Sequence, residues 1–121
     1  MKRVYQTKFG DEGNCLQAAL ASILEVDLAD VPNLADSPFW LEAIRFFAED
    51  HNYVMSVFPD DPPLRPNTYY VEWGLSPRGN QHAVVGYNSE IVHDPHPDGG
   101  GLLRTEGYIA FRKREPQGAT T

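Results

Sequence analysis

The apolar residues of this chain change period once, near residue 52, and that change constrains the fold more than any other feature. Before it they recur at helical spacing. In "GNCLQAALASIL" (13–24), Leu16, Leu20, Ile23 and Leu24 fall at i, i+4, i+7 and i+8, one stripe of a helix that Asn14 is suited to cap. Ala18, Ala19 and Ala21 lie between them and are small enough for other elements to approach closely, so a buried central helix is expected. A second helix is expected to open at Ser37-Pro38, since proline is tolerated at the first helical position, and to stop near Asn52. Trp40, Ala43, Ile44, Phe47 and Ala48 line one of its faces, and Glu42, Arg45 and Glu49 another. "EVDLADVPNLADS" (25–37) connects the two, with room for one helical turn.

After residue 52 the apolar residues come in short β-branched and aromatic runs: "YVMSVF" (53–58), "TYYVEW" (68–73), "HAVVGY" (82–87), "EIVHD" (90–94) and "GYIAFRK" (107–113). Proline and glycine break the chain between them, in "PDDPPLRPN" (59–67) and "PHPDGGG" (95–101). Helices first and an antiparallel sheet afterwards make an α+β fold. "RVYQT" (3–7) is either a short strand or an extended arm. The 121 residues are one domain's worth of material, with fraying expected at 1–2 and from about 115 to 121.

Several function classes are set aside by composition. No run approaches the ~18 consecutive apolar residues of a membrane span, so no membrane partner is expected. The opening "MKRVYQTKFGDEGN" has no apolar core of a secretory signal, and a single cysteine cannot form an internal disulfide. A cytoplasmic protein is the expectation. The net charge of −7 argues against a nucleic-acid partner, which a basic face would have to hold. The "RKR" at 112–114 reads as a solvated strand end, and oligomeric state is left open.

The single cysteine carries the chemistry. A lone cysteine is usually a small buried hydrophobe, but Cys15 stands where the first helix begins. Unpaired N–H groups and a partial positive charge there favour thiolate over thiol, and Gly13 allows a sharp turn just before it. Four histidines are candidate bases: His51, His82, His93 and His96. His51 falls at the end of the second helix, where a cation suits the dipole, and takes a structural reading. His82 opens a strongly apolar strand, and Asp94 closes the next one, placed to hold the second imidazole nitrogen.

"GNCLQAALASIL" followed by "HAVVGYNSEIVHDP" resembles the papain-like cysteine peptidase superfamily, and its small bacterial, phage and bacteriocin-processing members more than papain itself. The resemblance covers about residues 3 to 112, with Cys, His and Asp in the same chain order. It implies a papain-like fold, with the N-terminal central helix and the second helix packed on an antiparallel sheet. It also implies a hydrolase that cleaves a peptide or isopeptide bond through a thioester, needs no cofactor or metal, and acts on a protein or peptide. Cys15 would be the nucleophile, His82 the base and acid, and Asp94 the orienting carboxylate. A glutamine shortly before the cysteine completes the superfamily's oxyanion hole; Gln6 is the only upstream glutamine, nine positions away, with Asn14 as the alternative donor. The C-G-[SA]-C-[WY] signature of papain is missing, so papain's substrate preferences are not implied.

A Cys-His-Asp triad makes a demand on strand register. A two-residue Asn88-Ser89 turn would pair Ala83 with Asp94 and put His82 and Asp94 on opposite faces. His82 is therefore expected across from Asp94, by a three-residue loop (Tyr87-Asn88-Ser89) or a bulge, leaving Ala83, Val85, Ile91 and His93 on the other face, with His93 structural or at the rim.

Other readings stay open. "HDPH" (93–96) with His82 and Cys15 could ligate zinc, although no Cys-x-x-Cys or His-Glu-x-x-His accompanies them. The same triad would also serve a glutamine deamidase or an acyltransferase, and the fold would serve a non-catalytic binding or inhibitor module. "NTYYVEWG" (67–74) is a buried strand or a binding wall, Arg78 a substrate-carboxylate ligand or a solvated turn residue, and Gly99 to Gly101 a mobile lip or a slack loop.

Overall fold

A computed structural model describes residues 1–10, 13–33, 38–60 and 66–114. Ser37, residues 61–65 of the proline-rich loop and the tail from 115 to 121 lie outside them. The described residues form a mixed α+β fold of two α-helices and a five-stranded antiparallel sheet.

Helix α1 (Cys15–Leu24) is buried from Gln17 to Leu24, because alanine and serine between its larger residues let neighbours close in on every side. Ser22, wholly buried in this apolar setting, is satisfied: its hydroxyl donates to Ala18 O (2.8 Å) and accepts from Val4 N–H (3.0 Å). A single 3-10 turn, Leu28–Asp30, interrupts the connection. Helix α2 (Trp40–Asp50) begins later than expected: Pro38 and Phe39 form a turn, and the Ala43 N–H closes the first helical bond on Phe39 O. Ile44 and Ala48 are fully buried, while Phe46 on the opposite side is exposed. His51 ends the helix structurally, its Nδ1–H donating to Phe47 O at 2.8 Å.

The strands are β1 (Tyr53–Phe58), β2 (Tyr69–Leu75), β3 (Gln81–Tyr87), β4 (Glu90–His93) and β5 (Arg104–Lys113), in the order β1-β5-β2-β3-β4. Alternation puts Met55, Phe111, Ile109, Val71, Val85 and Ala83 on one face, where they meet the apolar stripes of both helices in one core.

The β3–β4 hairpin answers the register demand by one of the two expected routes. Its turn has two residues, not three: Asn88 (φ 51°) and Ser89 (φ 67°) both lie in the left-handed region, as a tight hairpin turn requires. Tyr87 therefore pairs with Glu90 and Gly86 with Ile91, but Val85 pairs with His93. Val92 is the extra residue of a bulge, and it shifts all that follows by one position. Asp94, the residue after the Val85–His93 pair, thus comes level with Val84, on the His82 face but not across from His82 as expected. Ile91 precedes the bulge, so it stands opposite Gly86 and is half exposed, not on the Ala83–Val85 face as expected.

Residues 1–8 form an extended arm and no strand. Its first two residues, expected to fray, are held: Met1 packs against the core and Lys2 N–H donates to Ser22 O (2.9 Å). Gln6 N–H then donates to Pro95 O (3.0 Å), and His93 Nε2–H to Val4 O (2.7 Å), so the arm bridges α1 and the end of β4. No described helix is long and apolar enough to cross a membrane.

Candidate active site

Cys15 is the first residue of α1 and half buried. The turn that presents it needs glycine, since a Cβ on Gly13 would sit 2.9 Å from Gly10 O, which the Gly13 N–H already binds at 3.0 Å. Asn14 stands at the N-cap position but does not cap. Its Oδ1 accepts from the N–H groups of Thr7 (2.9 Å) and Lys8 (3.0 Å), and its Nδ2 donates to Thr7 Oγ1 (3.0 Å). This corrects its expected capping; its Oδ1 and one Nδ2 hydrogen are engaged by the arm, and the second Nδ2 hydrogen keeps Asn14 an alternative oxyanion donor.

His82, the second residue of β3, is 4% exposed. Its Nε2 lies 2.6 Å from Asp94 Oδ1. Asp94 follows directly on β4, past the Val92 bulge, and alternation places it on the His82 side of the hairpin. Two backbone N–H groups hold the carboxylate still: His96 N–H on Oδ1 and Gly101 N–H on Oδ2, both at 2.9 Å. A carboxylate only accepts, so the imidazole hydrogen on that side rests on Nε2. The Cys15 side chain is the second hydrogen-bond partner of the same imidazole, which leaves Nδ1 for the sulfur.

Burial pulls the His82 pKa down, but hydrogen bonds to Asp94 and Cys15, with the charges of both, outweigh it and carry the imidazole up to about 9. For Asp94 burial pulls the other way; the hydrogen bonds from His82, His96 and Gly101 and the His82 charge overcome it and bring the carboxyl down to about 2. The pair is therefore an imidazolium and a carboxylate at neutral pH.

Gln6 is 6% exposed and lines a cavity of about 60 Å³ together with Cys15, His82 and His96. One Nε2 hydrogen goes to Lys8 O (2.9 Å), and Oε1 has no partner among the described residues. Asn14 N–H reaches Lys8 O at 3.3 Å, returning the chain to the arm, which accounts for the long spacing between Gln6 and Cys15.

A second, larger cavity of about 450 Å³ opens from the same Cys15 and His82 and is walled by Trp40, Trp73, Leu16 and Gln17. The two indoles meet edge to face at 5.7 Å. Trp73 has small neighbours on both adjoining strands, Ala83 and Gly107, and a Cβ on Gly107 would lie 2.3 Å from the indole. Gln17 Nε2 donates to Asn33 Oδ1 (3.2 Å), while its buried Oε1 has no partner among the described residues. Neither Gln17 nor this wall was singled out as a site residue from sequence; of the wall, only the Trp73 stretch was noted as a binding surface. The small residues beside Trp73 are the available signal, readable only once strand register is known.

The remaining candidates fall apart from the triad or around it. His93 is buried against Val4 O and the edge of Tyr5, away from Cys15, which splits the set that zinc would have needed. Among the described residues no three such side chains converge as a metal site requires. Arg78 is tied to the 95–101 loop by Nη1 donating to Gly99 O at 2.9 Å, and Gly101 fastens Asp94, so that loop is laced rather than slack. No family model, curated protein or solved structure matches the chain.

Proposed function

We propose that this chain is a papain-like cysteine hydrolase that cleaves an amide bond of a peptide or protein. The observation that carries the reading is the 2.6 Å bond between His82 Nε2 and Asp94 Oδ1, with the Cys15 side chain on the same imidazole. An orienting carboxylate, a base and a thiol in series are the parts of an activated nucleophile.

The steps follow from these positions. Sulfur attacks the carbonyl carbon as the thiolate, its proton already held on His82 Nδ1 in the imidazolium. The resulting oxyanion is met by the Cys15 N–H, which as the first helical amide has no acceptor within α1, and by the second Nε2 hydrogen of Gln6. His82 then protonates the leaving amine as the C–N bond breaks, leaving a thioester. Water, deprotonated by His82, attacks that thioester and expels the thiolate, restoring the imidazolium and releasing the acid. The cavity between Trp40 and Trp73 takes the acyl side of the substrate, where a large apolar group fits.

Alkylation and turnover test this together. Cys15 should react with iodoacetamide faster than free cysteine at about pH 6, and His82→Ala should slow it. Cys15→Ala should abolish cleavage of a mixed peptide library, followed by mass spectrometry, with thermal unfolding nearly unchanged. Alkylation no faster than free cysteine and indifferent to His82→Ala would overturn the reading. Conversion of glutamine side chains without chain cleavage would favour a deamidase with the same triad.

A further inference from the structure

The small cavity beside Cys15 holds two hydrogen-bond donors that the triad does not use. His96 lines it with its ring centroid 6.3 Å from that of His82. The Asp98 N–H lies 3.0 Å from His96 Nδ1, and a backbone amide can only donate. Nδ1 is therefore the acceptor, and the neutral ring carries its hydrogen on Nε2, which has no acceptor among the described residues. Arg78 lines the same cavity. Among the described residues its side chain is engaged through Nη1 alone, on Gly99 O, and Gly99 N–H in turn donates to His96 O at 2.9 Å. Gly99 thus fastens both donors, and the loop that supports Asp94 also fixes them. The described lining includes no acidic side chain.

We infer that this cavity is a carboxylate subsite for the leaving group, so that the preferred substrate is an acyl–amino acid or a peptide cut before its C-terminal residue. The inference rests on the hydrolase reading for the identity of the leaving group. His82 must protonate the leaving amine, so that amine lies on the imidazole's side of Cys15, where His96 and Arg78 are. An α-carboxylate is two bonds from the scissile nitrogen. A cavity of about 60 Å³ admits a small polar group such as a carboxylate. A peptide carbonyl would satisfy His96 Nε2–H but leave the guanidinium without a counter-charge, whereas a carboxylate engages both.

The test compares N-acetyl-phenylalanyl-glycine with its C-terminal amide, titrated calorimetrically against Cys15→Ala. The acid should bind at least about tenfold more tightly than the amide, the scale of a charge-assisted hydrogen bond. In Cys15→Ala/Arg78→Gln the two should bind alike, and His96→Leu should shrink the preference. Equal binding of acid and amide, no binding of either, or a preference that survives Arg78→Gln would overturn the subsite. Should Arg78→Gln fail to fold, Arg78→Lys keeps the charge, and the acid–amide comparison in Cys15→Ala decides by itself. Wild-type protein given the same pair separates the two claims. Cleavage without preference for the acid keeps the hydrolase and removes the subsite; preferential binding of the acid without cleavage of either does the reverse.

Discussion

At the scale of single residues, His82 and Asp94 change each other's chemistry, and the change has a sign that can be measured. A histidine raised from 6.5 to about 9 adds stability in full below 6.5 and loses it as pH rises through about 9. An aspartate lowered from 3.8 to about 2 adds stability in full above 3.8 and loses it as pH falls through about 2. The two windows overlap between 3.8 and 6.5, where the pair contributes most. Asp94→Asn should therefore cost the most stability in that window, with the deficit narrowing toward pH 9 and above, in urea unfolding across a pH series. A deficit independent of pH would mean that the pair is not ionised. Residue types and neighbours were enough to single out Cys15, His82 and Asp94 in the sequence. Asn14 shows the limit: its type suits a cap, but three hydrogen bonds to Thr7 and Lys8 outcompete one to the helix.

At the scale of elements, the β3–β4 hairpin does what neither strand does alone. Asn88-Ser89 closes a tight turn whose register, continued unbroken, would turn Asp94 away from His82; one extra residue, Val92, reverses that. Deleting Val92 should restore the unbroken register and release the imidazole from its carboxylate. Its pKa, followed by the ring-proton shifts of His82 in NMR, should fall from about 9 toward its ordinary value of 6.5 while far-ultraviolet dichroism keeps its shape. A pKa left near 9 would show that another residue takes up the slack. The sequence carried the demand for a shift but offered no means of choosing between a longer loop and a bulge. Strand limits were legible to within a few residues, because β-branched and aromatic runs report local preference.

At the scale of the whole molecule, the arm is joined to the buried helix at Ser22, whose carbonyl takes the Lys2 N–H and whose hydroxyl takes that of Val4. Ser22 accepts from Val4 N–H, and the arm carries on to place Gln6 beside Cys15. Ser22→Ala leaves that amide without its partner in a part-buried setting, a loss of about 1–3 kcal/mol in denaturant unfolding. The proposed hydrolysis should weaken with it, since the arm that carries Gln6 loses one of the bonds that hold it, while iodoacetamide should still find Cys15. Unchanged stability would mean that water replaces the serine and that the arm is held elsewhere. Across the site, the 450 Å³ cavity joins α2 to β2 through Trp40 and Trp73, which lie 33 positions apart. Nothing in either local sequence announces the other.

Taken by itself, the order of residues determined the switch from helical to alternating period, the element order, the place of the thiol at a helix start and the types of side chain able to assist it. These depend on interactions across a few positions, whose free energies operate even in a short segment. Packing alone decided which face Asp94 meets, which two amides hold it, what occupies Asn14 and how far Gln6 lies from Cys15. Each of those turns on contacts between distant segments, and such contacts exist only once the sheet has closed against α1.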